Sequence, residues 1–443
     1  MLVGLTAASV GVIYGYDLSS IADALLFITK EFALTTGQQE MVTTTVVIGQ
    51  IGGALGAGVL ANAIGRKRSM VLITLGYALF ALLSATAISV PMLLVARLLL
   101  GVTIGVSVVV VPVYVAESAP AAVRGSLLVA YQLATVSGLL LGNVAGYLLA
   151  ESHSWRWMLG LAAAPASLLL LLVLRMPDTA RWYLLKGRVD DARRALLRFE
   201  PEATVDAELA EIARAVSEDR DRPGGGITEM LRRPYLRATL FVVAFGFLIQ
   251  ITGINAIINY SPILFKKMGF EENFALLLPA LVQVAGLAAV CTSLFLVDRV
   301  GRRPILLSGI AMMIVADAVL ITAFARDATA PGALILGFGG VLLFIIGFNF
   351  GFGSMVWVFA GESFPSHLRS VGSSVTLTSN LTANAIVVGF FLTMDHWLGG
   401  TGVFTVFGFF AVIAAVVVYR YAPETKGRQL EDIRHFWENG GRW

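Results

Sequence analysis

Long apolar runs constrain the fold of this chain more than any other feature of its sequence. Twelve runs are long enough to cross a bilayer, which takes about 20 residues per helix, and only 14% of the 443 residues are charged. Soluble domains carry about 25% charged residues. Because a spanning segment must satisfy its own backbone hydrogen bonds, we expect each run to be a helix. The sequence therefore predicts an all-α membrane protein with twelve transmembrane helices.

The first apolar run begins almost at Met1 and carries Tyr16 and Asp17. It lacks the basic leader and the small-residue cleavage site that mark a removable signal peptide. We therefore interpret it as a permanent transmembrane helix.

Basic residues concentrate in alternate predicted loops, and such loops face the cytoplasm. We expect a multi-pass protein of the plasma membrane with both termini in the cytoplasm. Nucleic-acid binding is excluded, because it needs a solvated basic face with stacking aromatic side chains. The richer loops hold Arg66, Lys67, Arg68, Arg124, Arg299, Arg302, Arg303 and Arg369, and the poorer loops chiefly Lys30, Arg156, Lys266, Lys267 and Arg326.

The sequence contains no motif that would indicate an enzyme. Its one cysteine, Cys291, cannot form an internal disulfide, and its four histidines are not spaced as metal ligands. We find no nucleophile elbow, phosphate-binding glycine loop or ATPase motif. We therefore expect no enzymatic activity, no metal and no cofactor, so that any uphill transport must draw on an ion gradient.

Two duplicated signatures divide the chain into halves. A Glu, a Pro and an Arg seven residues after the Glu occur at 117–124 and again at 362–369. A second pattern, rich in Gly and Arg, occurs at 65–68 and again at 298–303. Duplicated halves of about six spans are typical of secondary transporters built around a central site.

The halves and their connections give four parts. Residues 1–176 hold six spans, and residues 235–421 hold six more. Between them, residues 177–234 are polar and rich in Ala, Arg and Glu, which favours short amphipathic cytoplasmic helices over a plain linker. Residues 422–443 are a polar cytoplasmic tail.

Six short motifs occur in order along the chain. They are Gly15-Tyr16-Asp17, 97–101, 112–117, 177–182, 250–255 and 423–427. With these motifs the chain resembles the sugar porter family of the major facilitator superfamily over essentially its whole length. The resemblance implies the major facilitator fold, with two six-helix bundles joined by a cytoplasmic helical segment.

A charge within the first span indicates proton coupling. An ionised carboxylate in lipid must be partnered, hydrated or protonated, and Arg97 in the fourth span is the obvious partner of Asp17. A carboxylate that gains and loses an arginine can take up and release a proton. The resemblance implies the same, because proton-coupled members carry Asp here and passive carriers usually carry Asn. The alternative is a static pair that only joins two helices.

By resemblance, charged residues at the cytoplasmic helix ends form ion pairs that hold an outward-open state. Each pair contributes about 1 kcal/mol, and a network can bias a two-state balance; the alternative is topology control alone. Asn62 and Ala63 stand where the family usually has Asp-Arg, which predicts a weaker latch in the first half. The predicted residues are Glu117, Arg124, Asp178, Arg181, Asp298, Arg302, Arg303, Glu362 and Arg369, with Tyr260 as the remaining aromatic residue of a gate.

A sugar site needs amides for the hydroxyl groups and an aromatic face for the ring. For each amide the alternative is a helix–helix hydrogen bond, and for the tryptophan it is packing. We likewise expect Gln50 and Gln283 to serve packing, and Asp317 to be partnered or to face an interface. The contacts implied by the resemblance are Gln132, Gln250, Asn255, Trp357, Asn380 and Asn384.

The predicted site departs from the family pattern at four positions. The substrate is therefore a different polyol or a larger sugar, or else the site is rearranged. The tenth span also lacks both family prolines, so its bending must rely on Gly351 and Gly353. The four departures are Ile249 for Gln, Asn259 for an aromatic residue, Gly286 for Asn and Leu381 for Trp.

These patterns predict a monomeric carrier that takes up a monosaccharide or related polyol together with protons. One alternative is a passive facilitator or a carrier of another small polar solute. Another is a membrane sugar sensor that does not transport, although sensors of this type usually carry a long signalling tail. Apart from sugar and protons, the expected partner is the lipid bilayer.

Overall fold

The computed structural model confirms the predicted helical architecture. It describes residues 2–118, 121–152, 154–198, 202–221, 227–232, 235–326, 332–355, 359, 364, 368–424, 426 and 436. Within them, eleven helical stretches are long and apolar enough to cross a membrane. The last, Val371–Tyr421, joins two helices at Gly399, where φ is 66° and ψ is 171°. Counting these two separately gives the twelve predicted transmembrane helices.

Seven helices form the membrane part of the first half, because its sixth span is interrupted after Gly160. They are α1 (Leu2–Phe32), α2 (Thr36–Ile64), α3 (Arg66–Ala85), α4 (Val90–Ser118), α5 (Ala121–Leu149), α6 (Trp155–Gly160) and α7 (Ala163–Leu174).

Four helices follow in the segment between the halves. α8 begins after Thr179, whose hydroxyl accepts a hydrogen bond from the Trp182 N–H. A small core of Ala, Leu and Val side chains joins α8, α9 and α10. The four helices are α8 (Ala180–Leu185), α9 (Val189–Leu196), α10 (Glu202–Asp221) and α11 (Ile227–Met230).

The second half contains two breaks within its spans. The seventh span divides at Thr252 and Gly253, and the tenth ends its first helix at Gly351, one of the two glycines predicted to allow a bend. The helices are α12 (Leu236–Ile251), α13 (Ile254–Lys267), α14 (Glu272–Val300), α15 (Arg302–Ala325), α16 (Ala333–Phe350) and α17 (Arg369–Tyr421).

Glycines let some helices approach to backbone contact. A methyl group at Gly101 of α4 would lie 2.1 Å from the Val46 carbonyl oxygen of α2. On α15, a methyl group at Gly309 would lie 2.6 Å from the Gly347 carbonyl oxygen of α16. Such distances exclude any larger side chain, which explains why small residues are spread through the spans.

Two compact units make up the chain. The first comprises residues 1–17, 45–138 and 156–224, and the second comprises residues 18–44, 139–155 and 225–443. The first unit has a buried apolar core from α1, α2, α3, α4 and α7. In the second, phenylalanine rings pack α12 against the chain after α16, as in the tilted Phe245–Phe352 pair.

Candidate functional site

A buried ion pair lies in the interior of the first unit. Arg97 Nη1 of α4 donates to Asp17 Oδ1 of α1 at 2.7 Å, and the two side chains are 2% and 4% exposed. This is the contact expected from the sequence. Removing either partner would leave the other charge buried and unpaired, which is costly.

A chain of amides in the second unit is built on the break in the seventh span. Asn255 Nδ2 donates to Gln250 Oε1 at 2.9 Å, and Gln250 Nε2 donates to Asn380 Oδ1 at 3.1 Å. Asn380 Nδ2 in turn donates to the Gly246 carbonyl oxygen at 3.2 Å. Three of the predicted sugar contacts are thus brought together.

The helix break itself depends on Gly253. Its φ of 98° lies in the left-handed region, and a methyl group there would lie 2.4 Å from the ring of Phe407. The break lets Gln250, at the end of α12, and Asn255, at the start of α13, meet although they lie on separate helices. Each amide keeps unused donors or lone pairs that can bind a hydroxyl group.

The remaining predicted contacts are placed differently. Asn384 is 3% exposed, and its Oδ1 has no hydrogen-bond partner within the described part of the chain. Gln132 is half-buried on α5 and belongs to the first unit. Trp357 lies outside the described residues.

The unusual residues Ile249, Asn259 and Leu381 are all buried. Ile249 is 2% and Leu381 is 7% exposed, so both are packed into the helical core. The side chain of Asn259 donates to the Asn255 carbonyl oxygen at 2.8 Å. It therefore supports the start of α13 rather than supplying an aromatic surface.

Other amides occupy the space beside Gly286. A methyl group at Gly286 would lie 3.0 Å from Asn349 Nδ2 on α16 and 3.5 Å from Gln283 Oε1 on α14. Gln283 is 4% exposed, and its Oε1 has no partner among the described residues. The sequence assigns Gln283 to packing and gives no sign that its acceptor is left unsatisfied.

At the linker end of the first unit, Glu117 is the centre of a polar network. Arg66 Nη2 donates to Glu117 Oε1 at 3.0 Å, and Thr179 Oγ1 donates to Oε2 at 2.6 Å. Arg181 is more distant, with its Nε 3.9 Å from Oε1. Arg66, which the sequence linked only to topology, is therefore the main cation facing Glu117. Asn62, in place of the family Asp, accepts from Arg66 Nη1 at 3.0 Å.

Asp178 caps a helix instead of forming the centre of an ion pair. Its Oδ1 accepts the Arg66 and Thr179 backbone N–H groups at 3.0 and 2.9 Å. Gly65, at φ 102°, leaves room for this carboxylate, because a methyl group there would lie 2.1 Å from Asp178 Oδ2. Burial raises the pKa of the Asp178 carboxyl despite these hydrogen bonds.

The same cap recurs in the second unit, where Glu424 takes the place of Asp178. Its carboxylate accepts the backbone N–H groups of Arg302 and Arg303, each at 3.1 Å. Gly301 has φ 110°, matching Gly65 at the corresponding position. We missed Glu424, although the parallel between its motif at 423–427 and the one at 177–182 was visible in the sequence.

Several predicted gating residues are not seen in full. The side chains of Arg124, Asp298 and Arg369 are not described, and Glu362 lies outside the described residues. Arg303 is described, and its guanidinium stacks on the Tyr419 ring at 5.2 Å.

Residues 18–44 make a further set of contacts within the second unit, with α13 and α17, and we call this region the distal end. The Tyr260 hydroxyl lies 2.6 Å from Thr43 Oγ1 and donates to the Val388 carbonyl oxygen at 2.8 Å. Glu40 accepts both the backbone N–H and the hydroxyl of Thr393, each at 2.7 Å. α2 is thereby held to α13 and α17.

Two buried carboxylates are not used by these networks. Asp23 of α1 is 0% exposed and Asp317 of α15 is 1% exposed. Neither has a hydrogen-bond partner within the described ranges. Of the two placements expected for Asp317, a partner or an interface, the structure has the second, because Asp317 lies against Gly408 of α17. The described residues also contain no group of three or more His, Cys, Asp or Glu side chains that could hold a metal ion.

Comparison with known proteins gives matches over almost the whole chain. The family described as "Sugar (and other) transporter" matches residues 3–437. The galactose-proton symporter of Escherichia coli K12 is 34% identical over 429 residues, which cover 96% of this chain and 92% of that protein. The glucose transporter GlcP of Staphylococcus epidermidis is 32% identical over 438 residues, covering 98% and 96%.

A solved structure supports the same relationship. The proton:xylose symporter XylE bound to 6-bromo-6-deoxy-D-glucose has a TM-score of 0.82 and 26% identity, covering 99% of this chain and 98% of that one. The chain therefore belongs to the sugar transporter family of the major facilitator superfamily, as an integral membrane transporter and not an enzyme.

Proposed function

We propose that this protein is a proton symporter for a monosaccharide or related polyol and works by alternating access. The observation that carries the proposal is the buried Asp17–Arg97 pair, joined at 2.7 Å. A membrane carboxylate held by one arginine can bind a proton whenever that arginine is drawn away. Relatives named as galactose-proton and arabinose-proton symporters support this assignment.

The amide chain supports a polyhydroxylated substrate. Gln250, Asn255 and Asn380 combine acceptors and donors, which matches hydroxyl groups that both give and take hydrogen bonds. Asn349 and Gln283 add amides beside Gly286. Of the two explanations for the four departures from the family pattern, these amides favour a rearranged site over a different substrate.

Charged networks at the helix ends support gating between two states. Glu117 with Arg66 and Thr179 would hold the linker end, and Glu40 with Thr393 and Tyr260 with Thr43 would hold the distal end. Arg124, Glu362 and Arg369 would complete the linker-end latch. We interpret the distal contacts as those of a state closed at that end.

The positions of the charges and the number of spans support a membrane topology and an oligomeric state for the carrier. Arg66 and Lys67 begin α3, and Arg302 and Arg303 begin α15. Alternation of the spans puts both helix starts on the same side of the membrane as the linker, which supports a cytoplasmic linker and cytoplasmic termini in the plasma membrane. Each half contributes six spans, so we propose that a monomer contains a complete transport path.

Gradient-driven uptake tests the proposal. In proteoliposomes, wild-type protein should accumulate sugar when protons are driven in and lose this ability when the gradient is collapsed. Asp17→Asn, which cannot release a proton, should abolish accumulation and retain sugar exchange between preloaded and external pools. Accumulation by Asp17→Asn would contradict the proton role, and gradient-independent equilibration by the wild type would indicate a passive facilitator.

A further inference from the structure

Asp23 is a buried carboxylate that has no role in the proposed transport site. Its side chain is completely buried on α1, and neither carboxylate oxygen has a hydrogen-bond partner among the residues described. A buried ionised carboxylate without a counter-charge or donor is strongly destabilising, whereas the protonated acid is tolerated. The observed arrangement therefore favours the protonated form of Asp23.

The neighbouring helix is shaped around this carboxyl group. Asp23 faces Gly146 of α5, where a methyl group would lie 2.1 Å from Asp23 Oδ2. The described residues of α5 around this point bring no charge, because Asn143 is an amide and Tyr147 is 37% exposed. The glycine thus provides space for the acid and no group that neutralises it.

The ionisable groups of α1 and of the distal end are bonded elsewhere. On α1, Asp17 pairs with Arg97, and Glu31 accepts the Trp155 indole N–H. The other distal contacts are Lys30 and Lys266 with Glu272, Lys267 with Asp395, Glu40 with Thr393, and Tyr260 with Thr43.

The stretch that carries Asp23 is part of the distal closure. Residues 18–44 pack within the second unit, whereas the chain up to Asp17 belongs to the first. The contacts of Lys30, Glu40 and Thr43 hold this stretch in place. Opening of the distal end would break these contacts and bring water to the stretch.

We propose that Asp23 is a second proton-binding group, loaded when residues 18–44 close the distal end and able to ionise when that end opens. This inference rests on the alternating access proposed above. The proton comes from water on the distal side and returns to it on reopening. Asp23 would therefore make gating depend on distal pH without adding to the protons carried per sugar.

A cysteine at position 44 can report this closure. Thr44 Oγ1 lies 3.0 Å from where a methyl group on Gly389 of α17 would be, so it is covered when α2 packs there. Cys291 is the only native cysteine. Thr44→Cys with Cys291→Ala therefore gives a single reporter, and Asp17→Asn in the same protein removes the other proton-linked carboxylate.

In this background, the labelling rate is divided at each pH by that of the same protein unfolded in denaturant, because a free thiol reacts faster as it ionises. This ratio should rise with pH above about 6, where ordinary carboxyls are ionised. The limit for one linked proton is about tenfold per pH unit. Asp23→Asn mimics the protonated acid and should give a low ratio that no longer depends on pH. Gly146→Ala should speed labelling at every pH, because the methyl group displaces the carboxyl from its place.

Asp317→Asn is the matched control. Asp317 is equally buried, has no described partner and faces a glycine in the same way, Gly408, where α15 packs on α17. It should leave the pH profile unchanged. A rise with pH that persists in Asp23→Asn, or that Asp317→Asn removes equally, would overturn the inference. Neither result would contradict the proposed function. That function is contradicted only if the wild type does not couple sugar uptake to the proton gradient.

Discussion

At the scale of single residues, the amide chain makes Gln250 the most informative substitution. Gln250 both accepts from Asn255 and donates to Asn380, so its loss breaks two links at once. Gln250→Ala should weaken sugar binding by about 1–2 kcal/mol, the cost of a neutral hydrogen bond or two. Isothermal titration with the sugar that most raises the melting temperature would measure this.

Gln50 is the control for that experiment. It is also buried, at 2% exposure, and its Nε2 has no described partner, but it lies on α2 in the first unit. Gln50→Ala should leave the sugar affinity nearly unchanged. Wild-type affinity in Gln250→Ala would show that the site has been placed wrongly.

At the scale of helices, the break at Gly253 positions the amides. Gly253→Ala would force an alanine to φ 98° and push a methyl group to 2.4 Å from Phe407. The left-handed conformation alone costs about 1–2 kcal/mol, and the clash adds to it. We expect a lower melting temperature together with a loss of sugar affinity, because Gln250 and Asn255 lose their mutual geometry.

Gly187→Ala is the control for Gly253→Ala. Gly187 has φ 72° in the turn after α8, and a methyl group there would have no other atom within 4 Å. Gly187→Ala should cost only the backbone term of about 1–2 kcal/mol, without a change in sugar affinity. Equal affinity losses in both variants would argue that the helix break does not organise the site.

The helices also show what the sequence could and could not predict. Twelve apolar runs were enough to predict the spans, and the motif at 250–255 contains two of the three interacting amides. The third, Asn380, was implied by the resemblance to the sugar porters. The Asp17–Arg97 contact followed from the cost of an isolated charge in lipid. These features depend on local composition or on the physics of the bilayer.

Other features depend on distances between helices, which composition does not encode. The carboxylates of Asp178 and Glu424 were missed as helix caps because nothing in their motifs states which backbone they reach. Likewise, the filling of the space beside Gly286 by Asn349 depends on how closely α14 and α16 pack. In a helical bundle, such pairings are fixed by packing rather than by local pattern.

At the scale of the whole molecule, transport requires that closure at one end be balanced against closure at the other. Glu40 holds the distal end through two 2.7 Å hydrogen bonds to Thr393, and hydrogen bonds to a charged group contribute about 1.5–3 kcal/mol each. Glu40→Ala should therefore shift the population toward a distally open state by about tenfold or more, since about 1.4 kcal/mol changes a ratio tenfold. Labelling of Thr44→Cys in the Cys291→Ala protein would accelerate correspondingly.

Two further variants distinguish a gate from a general loss of packing. Tyr260→Phe removes the contacts with Thr43 and Val388 but keeps the ring stacked 5.1 Å from Phe391, so it should accelerate labelling less than Glu40→Ala does.

Glu117→Gln weakens the linker-end network and should slow the labelling, because a looser linker end favours the distally closed state. Acceleration by Glu117→Gln as well would mean that the two ends do not oppose each other. Those residues would then stabilise the fold without gating it.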